Sequence, residues 1–185
     1  MNDLDLAELV ELSLSALDGV AEADCSIKAG QLEWSCWQTV EHSIDCLFSY
    51  SMQIGAQAHS GFIPLEELHA RPEASPADLI AGLRGAMALL LGVVRDSPGD
   101  VTASDGVLEL DLSDWCARAA YELIIHTHDV LSGLGSALTP TDEMCNAILE
   151  TESLWMLDRR AIPETADPWT ALLVASGRPS VTSSD

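Results

Sequence analysis

Arg118-Ala-Ala-Tyr-Glu122-Leu-Ile-Ile-His126-Thr-His-Asp129-Val-Leu-Ser-Gly-Leu-Gly135 is the stretch on which the reading of this chain turns. Ala119, Ala120, Tyr121, Leu123, Ile124 and Ile125 leave this segment apolar on almost every side. A helix apolar all round is a buried helix. Ser113-Asp114 opens it, and Gly133 or Gly135 closes it. Glu122 and His126 stand one turn apart on one face and are expected to point inward. A carboxylate in that position has to pair, shift its pKa or bind a metal. A plain Glu–His hydrogen bond within a core is the simplest alternative.

Outward from this helix, the rest of the chain also reads as helical. Leu6, Leu9, Val10, Leu14, Leu17 and Val20 recur at helical spacing and predict an amphipathic helix over 3–22. Ser35-Cys-Trp-Gln38 is a capping box that opens a second helix over 36–54. Residues 55–74 read as a long connection. Ser75-Pro76 starts a third helix that stops before Ser97-Pro98-Gly99. Val107–Leu112 alternates apolar and acidic residues, but a lone strand has nothing to pair with, so an extended linker is expected. Thr139-Pro140, followed by Asp142 and Glu143, opens a fifth helix reaching Arg159, whose apolar face offers a surface for a homodimer. Asp167-Pro168 caps a short last helix ending at Gly177. The expected architecture is all-α, one domain over 1–178 built as an up-down-up-down four-helix bundle with additional short helices, and a disordered tail over 179–185.

Composition narrows the function classes. The 185 residues carry 8 Lys+Arg against 30 Asp+Glu, a formal net charge of -22, which argues against nucleic acid and anionic membrane as partners. The longest strongly apolar run, Ala86–Val94, is half of what a membrane span needs. The first basic residue is Lys28, so no export signal is predicted. Five cysteines without a CxxC motif are expected to be reduced thiols, and the expected location is cytoplasmic.

The candidate third metal donor is His42 on the second helix, where Gln38, His42, Cys46 and Ser49 form a polar stripe among Val40, Ile44, Leu47 and Phe48, with Gln38 itself a candidate to support the ligands or bind substrate. His42 lies ~9 Å from its helix start, while Glu122 and His126 lie ~12–18 Å from theirs. The second and fourth helices of an up-down-up-down bundle run parallel, so the three can converge. Two imidazoles and a carboxylate with an open position make up a catalytic zinc site, and also suit nickel or ferrous iron. Asp129, three residues after His126, is a candidate to orient its ring. Cys46 is either an extra soft ligand or a pocket wall. Arg178 is a candidate to neutralise an anionic substrate or cofactor, and His128 is expected in a supporting or surface role. The five tryptophans are expected to be structural plugs.

Three segments resemble one family. Trp34-Ser-Cys-Trp-Gln-Thr-Val-Glu-His42 is similar to the W-[ST]-x6-H start of the second helix in the DinB/YfiT-like superfamily. Arg118–Gly135 resembles the E-x3-H-T-W-D helix of its mycothiol-dependent maleylpyruvate isomerase branch, and Ala166–Arg178 resembles that branch's A-D-P…G-R segment. The resemblance implies a DinB-like bundle with a metal, usually zinc, held by His42, Glu122 and His126. It also implies a low-molecular-weight thiol such as mycothiol bound to that metal, for an isomerase or S-transferase acting on a small electrophile. The family's pattern has Trp where this chain has His128 and Asp where it has Gln38, and the authentic isomerase carries an additional C-terminal domain with no counterpart here. A hydrolase or tailoring enzyme using metal-bound water and a non-catalytic ligand-binding bundle are the two alternative expectations.

Overall fold

The computed structural model describes residues 1–179; the tail expected to be disordered lies, from residue 180 on, outside the described residues. Six α-helices and one short hairpin make up the described chain, so the class is all-α. The helices are α1 (Asp3–Asp18), α2 (Cys36–Ala56), α3 (Pro76–Asp96), α4 (Leu112–Gly133), α5 (Asp142–Leu149) and α6 (Pro168–Ala175). Strands β1 (Thr102–Ser104) and β2 (Glu109–Asp111) pair antiparallel between α3 and α4.

Local chemistry accounts for the helix starts. Ser35 and Gln38 close a reciprocal capping box at α2, and Ser75 and Asp78 do the same at α3, which also has a proline in its first turn. α4 starts earlier than Ser113-Asp114 suggests, because Asp111, the last residue of β2, accepts the Asp114 N–H and caps the helix directly off the strand.

The four long helices pack in a ring in which α2 touches α3 and α4, and α1 touches α4 and α3. Leu6, Leu9, Leu14, Leu47, Ile54, Leu83, Met87, Leu90, Trp115 and Leu123 fill the middle, all essentially inaccessible to water. α4 is buried along most of its length, as its composition predicts. Taken whole, α3 is long and apolar enough to cross a membrane by length and composition, a property that the nine-residue run inside it understates. Its Leu79, Ile80, Leu83, Met87, Leu90 and Val94 are turned into the core.

Two expectations are corrected here. Val107–Leu112 is not a linker: Glu109–Asp111 forms a strand, and its partner is Thr102–Ser104, a three-residue segment with no pattern of its own. The buried side chain of Gln53 ties this hairpin to α2, donating to Ser104 O (2.7 Å) and Gly61 O (3.1 Å). The fifth helix ends at Leu149, not Arg159. There the Arg159 guanidinium reaches back to Leu149 O (2.9 Å), Thr151 O (2.6 Å) and Leu154 O (3.1 Å), so carbonyls that a longer helix would satisfy internally are satisfied by one side chain. Cys145 and Ile148 of α5 are buried, with α5 packed on α6 and α4 of the same chain.

Candidate metal centre

His42 on α2 and Glu122 and His126 on α4 place one donor atom each within 4.8 Å of one another. Glu122 Oε2 lies 3.3 Å from His126 Nε2 and 3.9 Å from His42 Nε2. Two ligands about 2.1 Å from a tetrahedral ion are separated by about 3.4 Å, so the two spacings fit a single ion with little adjustment. The side chains of Glu122 and His126 are 14% and 13% exposed and that of His42 35%, so the cluster is open on the α2 side. The two imidazoles meet edge to face, centroids 5.1 Å apart.

Burial and neighbouring charge oppose one another at each member of the cluster. Burial would raise the Glu122 carboxyl, but the hydrogen bond and charge of His126, with His42 and Arg118, outweigh it and hold the group below the usual carboxylate range. Burial would lower His126, yet Asp129 and Glu122 outweigh it and raise the imidazole. His42 is lowered, first by burial and then by the charge of His126, which keeps its ring neutral and its lone pair available as a ligand.

Asp129 is buried and lies 3.2 Å from His126 Nδ1, which leaves Nε2 directed at Glu122. Arg178 is engaged by the same carboxylate through Nη2 (2.7 Å) and Nε (3.2 Å). The arginine expected to meet an anionic ligand therefore braces Asp129, which in turn braces His126. Gln38 Oε1 accepts from the Ser35 N–H (3.0 Å), closing the capping box that the sequence predicts, so its amide oxygen is committed to the helix start. Cys46 Sγ lies 3.4 Å from His42 Nε2, but the compact donor group does not include it, and burial pushes its thiol well above the ordinary range. His128 sits away from the cluster, edge-on to Trp169 with centroids 5.3 Å apart.

Sequence reasoning missed two kinds of neighbour. Tyr50, buried on α2, donates to Glu122 Oε1 at 3.3 Å. It continues the His42, Cys46 stripe at the next i+4 step, a spacing that leads to position 50 and not to Ser49. Trp34 is not a plug: it is one of the most exposed apolar side chains and stands over the donors, its ring 4.9 Å from His42 and 6.5 Å from His126. Together with Trp155, Met156, Leu32 and Ile125 it lines a cavity of about 530 Å³ with His42, Glu122 and His126 in its wall. That volume suits a small organic ligand.

The fold and the cluster thus define an all-helical protein with a His–Glu–His donor set at the wall of a half-apolar cavity. Comparison of the chain with protein-family models, with curated proteins and with solved structures finds no match.

Proposed function

We propose that the protein is a metal-dependent, thiol-utilising isomerase or S-transferase acting on a small electrophile. In this reading its four long helices form a DinB-like up-down-up-down bundle, and His42, Glu122 and His126 hold a divalent ion, zinc before nickel or iron. The observation that carries it is the convergence of three donor atoms from two helices within 4.8 Å at a cavity wall. The resemblance of three segments to the mycothiol-dependent branch supports the choice of thiol. The chemistry such an ion supplies when bound is acidification of a thiol, so that the nucleophilic thiolate is present at neutral pH.

This chain's own residues do the rest. His42 offers a neutral imidazole, and Glu122 contributes the negative charge that makes the site favour a cation. Asp129, locked by Arg178, fixes which nitrogen of His126 faces the centre. Trp34, Trp155 and Met156 give the cavity apolar walls against which a small organic ligand can pack.

Metal analysis of the purified protein tests the proposal. One equivalent of zinc or nickel, lost in His42→Ala and in Glu122→Ala, is the expected result; its absence from both the native and the reconstituted protein would overturn the reading. A thiol titration of the metal-loaded protein by isothermal calorimetry then checks the thiol: stoichiometric binding is expected, and none would refute the thiol-utilising part.

A further inference from the structure

The reach of Tyr50 to Glu122 spans two helices, and the groups around it are arranged to keep it there. Its ring packs 5.2 Å from that of Trp115 on one side, and the Arg118 guanidinium carbon lies 5.8 Å from its centroid, within cation–π range. Arg118 is fixed in turn: its Nη1 donates to Asp105 Oδ2 at 2.6 Å. Asp105, a buried residue in the turn of the β1–β2 hairpin, is fixed by the N–H groups of Val107 (2.8 Å) and Leu108 (2.6 Å) on its other oxygen. A chain of contacts therefore runs from the hairpin turn through Asp105, Arg118 and Tyr50 to one oxygen of Glu122. The other oxygen, Oε2, faces both imidazoles.

We infer that Tyr50 is a positioning residue for Glu122, holding Oε1 by its hydroxyl so that Oε2 alone is presented to the cation, with the hairpin turn as the anchor that keeps Tyr50 in place. A carboxylate with both oxygens free can turn either to a cation or clamp it with both. One held at Oε1 offers a single donor and leaves a further coordination position for a ligand from the cavity. Tyr50 supplies the one hydrogen bond that reaches Oε1 among the described residues. The inference rests on the metal reading above but concerns a residue outside the donor set.

The test is a zinc titration of the full chain against a chromogenic chelator, comparing Tyr50→Phe with the unsubstituted protein in the native and the Glu122→Ala backgrounds. Phenylalanine keeps the ring between Trp115 and Arg118 and removes only the hydroxyl. In the native background zinc affinity is expected to fall about 10- to 100-fold, as it does when outer hydrogen-bond partners of metal ligands are removed. In Glu122→Ala, which does not retain zinc through purification but can still bind added zinc weakly through its two imidazoles, Tyr50→Phe is expected to leave that residual affinity unchanged, because Tyr50 acts only through that carboxylate. The cobalt-loaded Tyr50→Phe protein is expected to show an altered visible spectrum, reporting a changed carboxylate coordination. Arg118→Lys is a second variant, expected to weaken zinc binding in the native background alone, and it keeps the test decisive if Tyr50→Phe does not fold. Equal zinc affinity and an equal cobalt spectrum in Tyr50→Phe, or the same loss in both backgrounds, would overturn the inference while leaving the metal reading standing. A chain that binds no metal would overturn both.

Discussion

Replacing Asp129 with asparagine removes one charge from the point where α4, the segment after α6 and the candidate metal centre meet. The carboxylate has three partners: Arg178 Nη2 at 2.7 Å, Arg178 Nε at 3.2 Å and His126 Nδ1 at 3.2 Å. An asparagine of the same shape keeps one acceptor but turns an NH2 group toward a donor, and it leaves the guanidinium without a counter-charge. Breaking a buried ion pair from one side costs about 3–5 kcal/mol. The Arg178 side chain retains 18% of its exposure and can recover part of its hydration, so about 2–3 kcal/mol is the expected loss. For a chain of this size that corresponds to a fall in Tm of about 4–12 °C. Metal affinity is expected to fall as well, by about 10- to 100-fold, because His126 loses the partner that fixes its tautomer. Differential scanning calorimetry of the metal-free protein and a zinc competition titration read the two effects separately. Asp129→Leu combined with Arg178→Met should recover much of the Tm lost in Asp129→Asn and none of the zinc affinity, since removing both charges relieves the uncompensated guanidinium but leaves His126 Nδ1 without an acceptor. A single variant with unchanged Tm and unchanged affinity would refute the bracing role.

Three further outcomes are expected. Gly133→Ala would drive a Cβ into Lys28 O and put it 3.0 Å from Gly30 N, backbone atoms that cannot step aside, so a loss of about 2–3 kcal/mol is expected in urea unfolding, against a gain of about 0.5–1 kcal/mol for Gly85→Ala on the exposed side of α3. Burial works to raise the Asp105 carboxyl, but the N–H groups of Leu108 and Val107 and the charge of Arg118 outweigh it and depress it below its ordinary value. Its stabilisation is therefore fully present above the unfolded value of about 4 and lost as pH falls through the lower folded value, and urea midpoints at pH 7, 4 and 3 should decline less steeply in Asp105→Asn than in the unsubstituted chain. The raised Cys46 thiol should react with a disulfide reagent at pH 8 much more slowly than the same thiol in urea, and a native rate equal to the unfolded one would contradict its burial.

The legible parts of the molecule were those governed by near neighbours in sequence. Ser35 and Gln38, or Ser75 with Pro76, act within one turn, so the starts of α2 and α3 could be read directly. The i,i+4 spacing of Glu122 and His126 is likewise local, and His42 was found because a polar stripe stands out on an apolar helix. What was missed depends on distant partners. Thr102–Ser104 becomes a strand only by pairing with Glu109–Asp111, and residues 150–159, which contain neither Gly nor Pro, leave the helix because Arg159 satisfies the carbonyls of that stretch. Gln38 satisfied two readings at once, and the nearer competitor, its own helix cap, took the amide. Tyr50 and Trp34 were missed for a related reason: an aromatic residue looks like core in a sequence, and only the assembled helices reveal that its polar atom or its face is turned to a site.

Trp34 stands on a short ribbon rather than on a free loop. Ala29 N donates to Trp34 O (2.9 Å), Cys36 N donates to Ile27 O (2.8 Å), Lys28 and Ser35 form an antiparallel bridge, and Gly133 of α4 is seated against residues 28–30. The backbone that carries the indole is thus tied down, a fixed jamb beside the donors and not a hinged door. An opening with a rigid frame discriminates by the girth of what passes, so ligands of increasing bulk should bind progressively more weakly, without the abrupt threshold that a closing flap would impose.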